Sequence, residues 1–145
     1  GNQHITAADV EEQIGISREY NAFELQAALA QKQWSQAMRI IAYFEANPKA
    51  GPIQMVIPAL YGFFSKLYAV YGEQNLSEKD FKQLFYFNPI AVAQAQTAMR
   101  LYGYAGVEKI ILLLHQYNLK GIGIGDTGTE SASLLRELTI KMMTI

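Results

Sequence analysis

Apolar residues recur along this chain at helical spacing, and no run of useful length alternates with period two. Trp34, Ala37, Met38, Ile41 and Ala42 fall at i, i+3, i+4, i+7 and i+8, which predicts an amphipathic helix. Asn47-Pro48 should end it, because a residue before proline is pushed out of the α region. Pro52 is placed to be the first residue of the next helix. There Leu60, Phe63, Phe64, Leu67 and Tyr71 share one face, and Tyr61 and Tyr68 share another. Pro58 lies inside this pattern and deletes one i→i−4 hydrogen bond, so a late start or a kink is expected. Further on, Ala91, Ala95, Ala98, Met99 and Tyr102 form a face whose small residues permit close helix contact. Val107, Ile110, Ile111 and Leu114 make the next stripe, to about Asn118, and Leu135, Leu138 and Met142 mark a final helix.

Helix-start signals agree with these stripes. Thr6 with Asp9 resembles a capping box, opening a short helix that Gly15 closes. Asn21 with Glu24 is a second such start, and Ser77 with Asp80 caps a short helix ending around Leu84. Asn88-Pro89 reads as an N-cap followed by proline at the first helical position. Gly121 to Gly128 reads as a loop. The prediction is an all-α fold, a helical bundle of about six to seven helices.

Composition narrows the possible functions. With 145 residues the chain has the length of one domain, and half hydrophobic with 17% charged it lacks the signature of disorder. A net charge of −1 excludes a basic nucleic-acid binder, and zero cysteines exclude disulfides, a thiol nucleophile and thiolate zinc sites. The two histidines, His4 and His115, stand far apart with no acidic cluster, so no metal site is expected. Charge is also unevenly spread: Lys66 is the only charge between Ala50 and Gly72, and none lies between Gln83 and Met99. Pro58, Ser65 and Lys66 interrupt Val56 to Val70 short of the ~20 clean apolar residues of a membrane span. Helices buried on more than one side, by the core or by a partner chain, account better for these segments. Gly1 reads as a leftover of expression, the first residues show no signal peptide, and a cytoplasmic location is expected.

Each candidate for chemistry has a plainer explanation. Gly121, Gly123 and Gly125 imitate a phosphate-cradling loop, but a helix precedes them and the phosphate-loop Lys-Ser/Thr pair is missing. A flexible connection suffices, and a loop whose N–H groups approach a nucleic-acid backbone stays open. His115, at the end of an apolar helix, reads as a partly buried, satisfied side chain rather than a base. Asp126 and Glu130 read as capping residues. The aromatics from Tyr61 to Phe87 suggest stacking platforms, but with only Lys66, Lys79 and Lys82 nearby they read as core and subunit-interface packing. On its residues alone the chain reads as an interaction domain rather than an enzyme, and no catalytic residue or cofactor is expected.

Ile5 to Gly15, Asn21 to Leu29, Ala37 to Ile41 after Trp34, Leu60 to Leu67, Tyr117 to Lys120 and Glu130 to Leu138 occur in an order and spacing that resembles a family. That family is the delta subunit of the bacterial DNA polymerase III clamp loader, in its C-terminal part, with a Bacteroidetes-like sequence. The resemblance implies that residues 1–16 end a lid domain and 17–145 form a helical collar, through which clamp-loader subunits assemble for DNA replication. It implies as partners the delta prime and gamma/tau collars, primed DNA only in the assembled complex, and the sliding clamp through domains missing here. No membrane, metal or cofactor is implied, and the fragment is non-catalytic although the parent holoenzyme is a DNA-directed DNA polymerase. Tyr61, Phe63, Lys66 and Tyr68 are then expected at a subunit interface, and Lys120, Gly121, Gly123 and Gly125 in a DNA-proximal loop. Two positions depart from the family pattern: Asn118 stands two before Lys120 where an Asp often stands three before, and Pro58 interrupts a usually proline-free helix. A helical small-ligand-binding or adaptor domain is the alternative; it would show a deep pocket where a collar shows exposed apolar surface.

Overall fold

The structure, a computed structural model, describes residues 19–122 and 128–145. These residues form six α-helices and one 3-10 turn, with no strand among them. The helices are α1 (Ala22–Ala30), α2 (Trp34–Ala46), α3 (Ile53–Gly72), α4 (Glu78–Leu84), α5 (Pro89–Ile122) and α6 (Gly128–Met143); the 3-10 turn Pro48–Ala50 joins α2 to α3. The expected all-α bundle is what folds. Asn21 Oδ1 accepts from the Glu24 N–H at 2.9 Å, Ser77 Oγ accepts from the Asp80 N–H at 3.0 Å, and Asn88 Oδ1 accepts from the N–H of Ile90 and Ala91. Each satisfies donors that have no partner within their own helix. The predicted helix from Thr6 to Gly15 lies outside the described residues.

α3 is the central element and packs most extensively against α5, while α2 packs against α6 and α1 bridges α2 and α3. Its buried face is Ile53, Val56, Ile57, Leu60, Phe63, Phe64 and Leu67, the a/d/e spacing of a core helix. By length and composition the stretch Pro48–Gly72 is apolar enough to cross a membrane, and this buried face is instead filled by the chain's own core. Two expectations for this helix change. Pro52 is the N-cap, with extended backbone (φ −64°, ψ 149°), and helical residues begin at Ile53. Pro58 causes no late start, and α3 continues past it as one helix. Its ring faces solvent, and the carbonyl it leaves unpaired belongs to exposed Gln54, where water can satisfy it.

The buried face of α2 is Ala37, Ile40, Ile41 and Phe44; Ala42 is exposed, so the true stripe is rotated from the predicted one. α5 is broken once, at Gly103 (φ 69°, ψ 176°), a conformation that glycine adopts without a side-chain clash. The turn before the break is tied down: the Tyr102 hydroxyl donates to the Leu29 carbonyl, and the Tyr71 hydroxyl to the Met99 carbonyl at 2.9 Å.

α5 also runs further than predicted, through Ile122, so Gly121 belongs to its last turn and not to a loop. Tertiary packing overrides the poor helix propensity of glycine here. Gly121 is buried, and a Cβ on it would come within 3.1 Å of Ile53 Cγ2. Its carbonyl accepts from Gln54 Nε2 at 3.2 Å. Because Pro52 has no capping side chain, the buried N–H of Ile53 donates instead to Ser131 Oγ on α6, at 2.7 Å. Three helix termini meet at this one residue. Replacing Ser131→Ala leaves a buried donor unpaired and should cost about 1–3 kcal/mol, read as a fall in Tm of several degrees. Ser133→Ala on the exposed side of α6 should leave Tm within about a degree.

Candidate interaction surface

The solvent side of α3 carries a low ridge of Pro58, Gly62, Ser65, Ala69 and Gly72, with Ser65 half-buried and the others exposed or nearly so. Tyr61 and Tyr68, seven residues apart, border it on one side, and Lys66 borders it on the other. Nothing in the fold requires glycine at position 62, where an added Cβ would meet no atom within 4 Å. A glycine in an exposed helix interior costs about 1 kcal/mol relative to alanine. What that cost provides is a smooth, uncharged surface against which another backbone can lie close.

The four predicted interface residues do not form one patch. Tyr61 is 47% exposed and walls an open cleft of about 330 Å³ together with Pro58, Leu114 and His115. Tyr68 donates to Glu108 Oε2 at 2.9 Å and lies 3.1 Å from the Tyr104 hydroxyl, with the two rings stacked at 5.4 Å. The bond with Tyr104, then that with Glu108, holds its hydroxyl well above the usual phenol range. Lys66 turns the other way, its ammonium 4.7 Å from the Tyr86 ring centre and 5.6 Å from that of Phe85. Phe63 is the correction: at 7% exposure it is a core residue, edge-on to Phe64 and tilted against Phe85. At 100° per residue it points away from the side that Tyr61 and Tyr68 share, which rules it out of any surface with them.

Of the aromatics from Tyr61 to Phe87, the most exposed are Tyr86 and Phe87. Tyr86 (φ 57°) and Phe87 (φ 56°) are consecutive bulky residues in the left-handed region, a strained arrangement for side chains with a Cβ. The Phe87 N–H to the Lys82 carbonyl at 2.8 Å and the Tyr86 N–H to the Gln83 carbonyl at 3.0 Å close the end of α4 and hold them there. Tyr86 is 83% exposed and, with Phe23, Gly62 and Lys66, lines an open groove of about 420 Å³. The run Phe85-Tyr86-Phe87 was the available signal, but a three-residue aromatic run does not say that only Phe85 points inward.

At the other end of α5, Lys120 is not a free charge: its ammonium is 3.2 Å from Glu137 Oε1 and 4.5 Å from the centre of the Tyr117 ring. The buried Tyr117 donates to the same carboxylate oxygen at 2.6 Å, and Lys141 stands 3.8 Å from it. Of the predicted loop residues, Gly121 is helical and buried, and Gly123 and Gly125 lie outside the described residues. His115 is exposed rather than partly buried. Among the described residues no group of three or more His, Cys, Asp or Glu is placed to hold a metal. The arrangement presents apolar and aromatic surface with scattered cations, which suits binding. No protein-family model, curated protein or solved structure matches the chain.

The Tyr117–Glu137 bond has a pH signature. Burial, and after it the bond to Glu137, pushes the Tyr117 phenol up from 10.0 to about 12. Its contribution to stability is therefore complete below pH 10.0 and is lost as pH rises through about 12. Glu137 is held below its usual 4.5 by the Tyr117 hydroxyl and then by Lys120, so its contribution is present above 4.5 and lost in acid. Alkaline titration followed by phenolate absorbance should show one late-ionising tyrosine fewer in Tyr117→Phe. That variant should also show a weaker fall of Tm between pH 10 and 12.

Proposed function

We propose that this chain is the collar-like assembly domain of a delta subunit of the bacterial DNA polymerase III clamp loader. In this reading residues 1–16 end a lid domain, residues 17–145 form the collar, and the protein is cytoplasmic. Its partners are the delta prime and gamma/tau collars, and its contribution to DNA replication is to hold the loader together. The observation that carries the proposal is the exposed ridge on α3, where the only formal charge between Ala50 and Gly72 is Lys66 and where Gly62 has no role in the chain's own packing. A helix depleted of charge on its solvent side loses little when that side is desolvated by a partner.

Two further observations support it. The six helices of the described residues are of the all-α class expected of a collar. The clefts at Tyr61, at Tyr86 and between α5 and α6 are open to solvent, where a small-ligand domain would enclose its ligand. The reading assigns this chain no catalytic residue. It places contact with primed DNA in the assembled ring, because the Lys120 ammonium is already shared with Glu137.

Co-expression with the delta prime and gamma/tau subunits of the same organism tests it, with co-purification as the readout. The wild-type chain should co-purify. Gly62→Leu should reduce recovery of the complex at least about tenfold, while leaving Tm unchanged or raised because the side chain enters open space. Tyr61→Ala should reduce recovery less. No co-purification of the wild-type chain would overturn the assignment, and unchanged recovery with Gly62→Leu would remove the α3 ridge from the interface.

A further inference from the structure

A second apolar surface lies between the C-terminal arm of α5 and the end of α6. It is an open groove of about 620 Å³ whose apolar lining is Leu112, Leu113, Leu119 and Ile145. Leu112 is 65% exposed and Leu119 64%, although both are large aliphatic side chains on a well-formed helix. They are seven residues apart, about 10.5 Å along the axis at 1.5 Å per residue, and so share one face. That spacing is two turns of helix, the repeat with which one amphipathic helix meets another.

The charged side chains that line the groove, Lys109 and Lys141, are both basic, and no Asp or Glu side chain lines it. Lys109 has no ion-pair partner among the described residues. Lys141 has only Glu137, at 3.8 Å, and that carboxylate is already engaged by Lys120 at 3.2 Å and by the Tyr117 hydroxyl. The nearest other carboxylate in sequence, Glu108, is turned away to Tyr68. On a chain of net charge −1 this is a local excess of positive charge beside an unpartnered apolar strip. An apolar floor with basic edges is complementary to an amphipathic helix whose polar face is acidic, and it opposes a basic one.

We propose that this groove docks an acidic amphipathic helix of a partner protein, which seats apolar residues at i, i+3 or i+4 and i+7 over Leu112 and Leu119 and turns carboxylates to Lys109 and Lys141. The docked helix lies against α5 and α6 as the third member of a helix layer. This site stands apart from the α3 ridge, which it meets only at His115, and it does not depend on the clamp-loader reading.

The test uses the full chain and a defined probe, a fluorescein-labelled helical peptide of about sixteen residues with leucines at i, i+4, i+7 and i+11 and glutamates on the opposite face. Anisotropy titration should give saturable binding in the micromolar range. The same peptide with lysine in place of glutamate should bind at least about tenfold more weakly. Leu112→Asp should abolish binding, and Lys109→Glu with Lys141→Glu should weaken the acidic peptide and strengthen the basic one. Unchanged far-ultraviolet circular dichroism would show that these exposed substitutions leave the fold intact, and the charge-reversal pair reports even if Leu112→Asp does not fold. Absence of saturable binding, equal affinity for the two peptides, or wild-type affinity in the folded Leu112→Asp variant overturns the proposal. So does co-sedimentation with vesicles of anionic phosphatidylglycerol without peptide binding, which would make the groove a lipid-facing surface.

Discussion

The bundle depends on how the first turn of α3 is satisfied. A helix beginning after proline at a buried isoleucine has donors that no neighbouring side chain can reach, and burying such a donor unpaired costs about 1–3 kcal/mol. Ser131 supplies the acceptor from α6, and Gly121 supplies the space beside Ile53 from the last turn of α5. Gln54 returns a bond to the Gly121 carbonyl. The start of α3, the end of α5 and the start of α6 are thereby locked to one another, and the rest of the packing is arranged around the helix they anchor. α5 and α1 then cover its apolar face, while α2 packs on α6.

This anchoring leaves α3 with more apolar surface than one core can use. The inward side is filled, yet the outward side has almost no charge, and Gly62 there sacrifices helix stability without any internal compensation. The same economy of charge extends to the turn after α4, where Tyr86 and Phe87 are held in left-handed backbone with their rings largely outside. Strain that is maintained on exposed aromatic residues is difficult to explain by folding alone. Lys66 lies between these two regions and stacks on Tyr86, so its charge is partly masked by the ring it covers.

The opposite end of the bundle handles its charges differently. Glu137 accepts from buried Tyr117 and from Lys120, with Lys141 close by, so one exposed carboxylate joins the C-terminal arm of α5 to α6. Because a single carboxylate serves three donors, positive charge is left over along the neighbouring groove, and the apolar floor there remains open. Exposed ion pairs of this kind add little stability. Their larger consequence is to set which sign of charge a visitor to the groove would meet.

Local rules were legible in the sequence, and directions were not. Caps at Asn21, Ser77 and Asn88 are properties of a few adjacent residues, and all three are present as read. The core stripe of α3 and the final helix through Leu135, Leu138 and Met142 follow from spacing alone. The reading failed where a distant residue decided the outcome. Glycine's poor helix propensity predicts a loop at Gly121, but Ile53, 68 positions earlier in the chain, occupies the space a side chain would need. Phe63 shares the core stripe by spacing, and only the family resemblance assigns it to an interface; at 7% exposure it follows the spacing. His115 ends an apolar stretch of α5, which suggests partial burial, but its side of the helix faces solvent. Periodicity measures the angle between side chains on one helix, and only packing between helices decides which angle points inward.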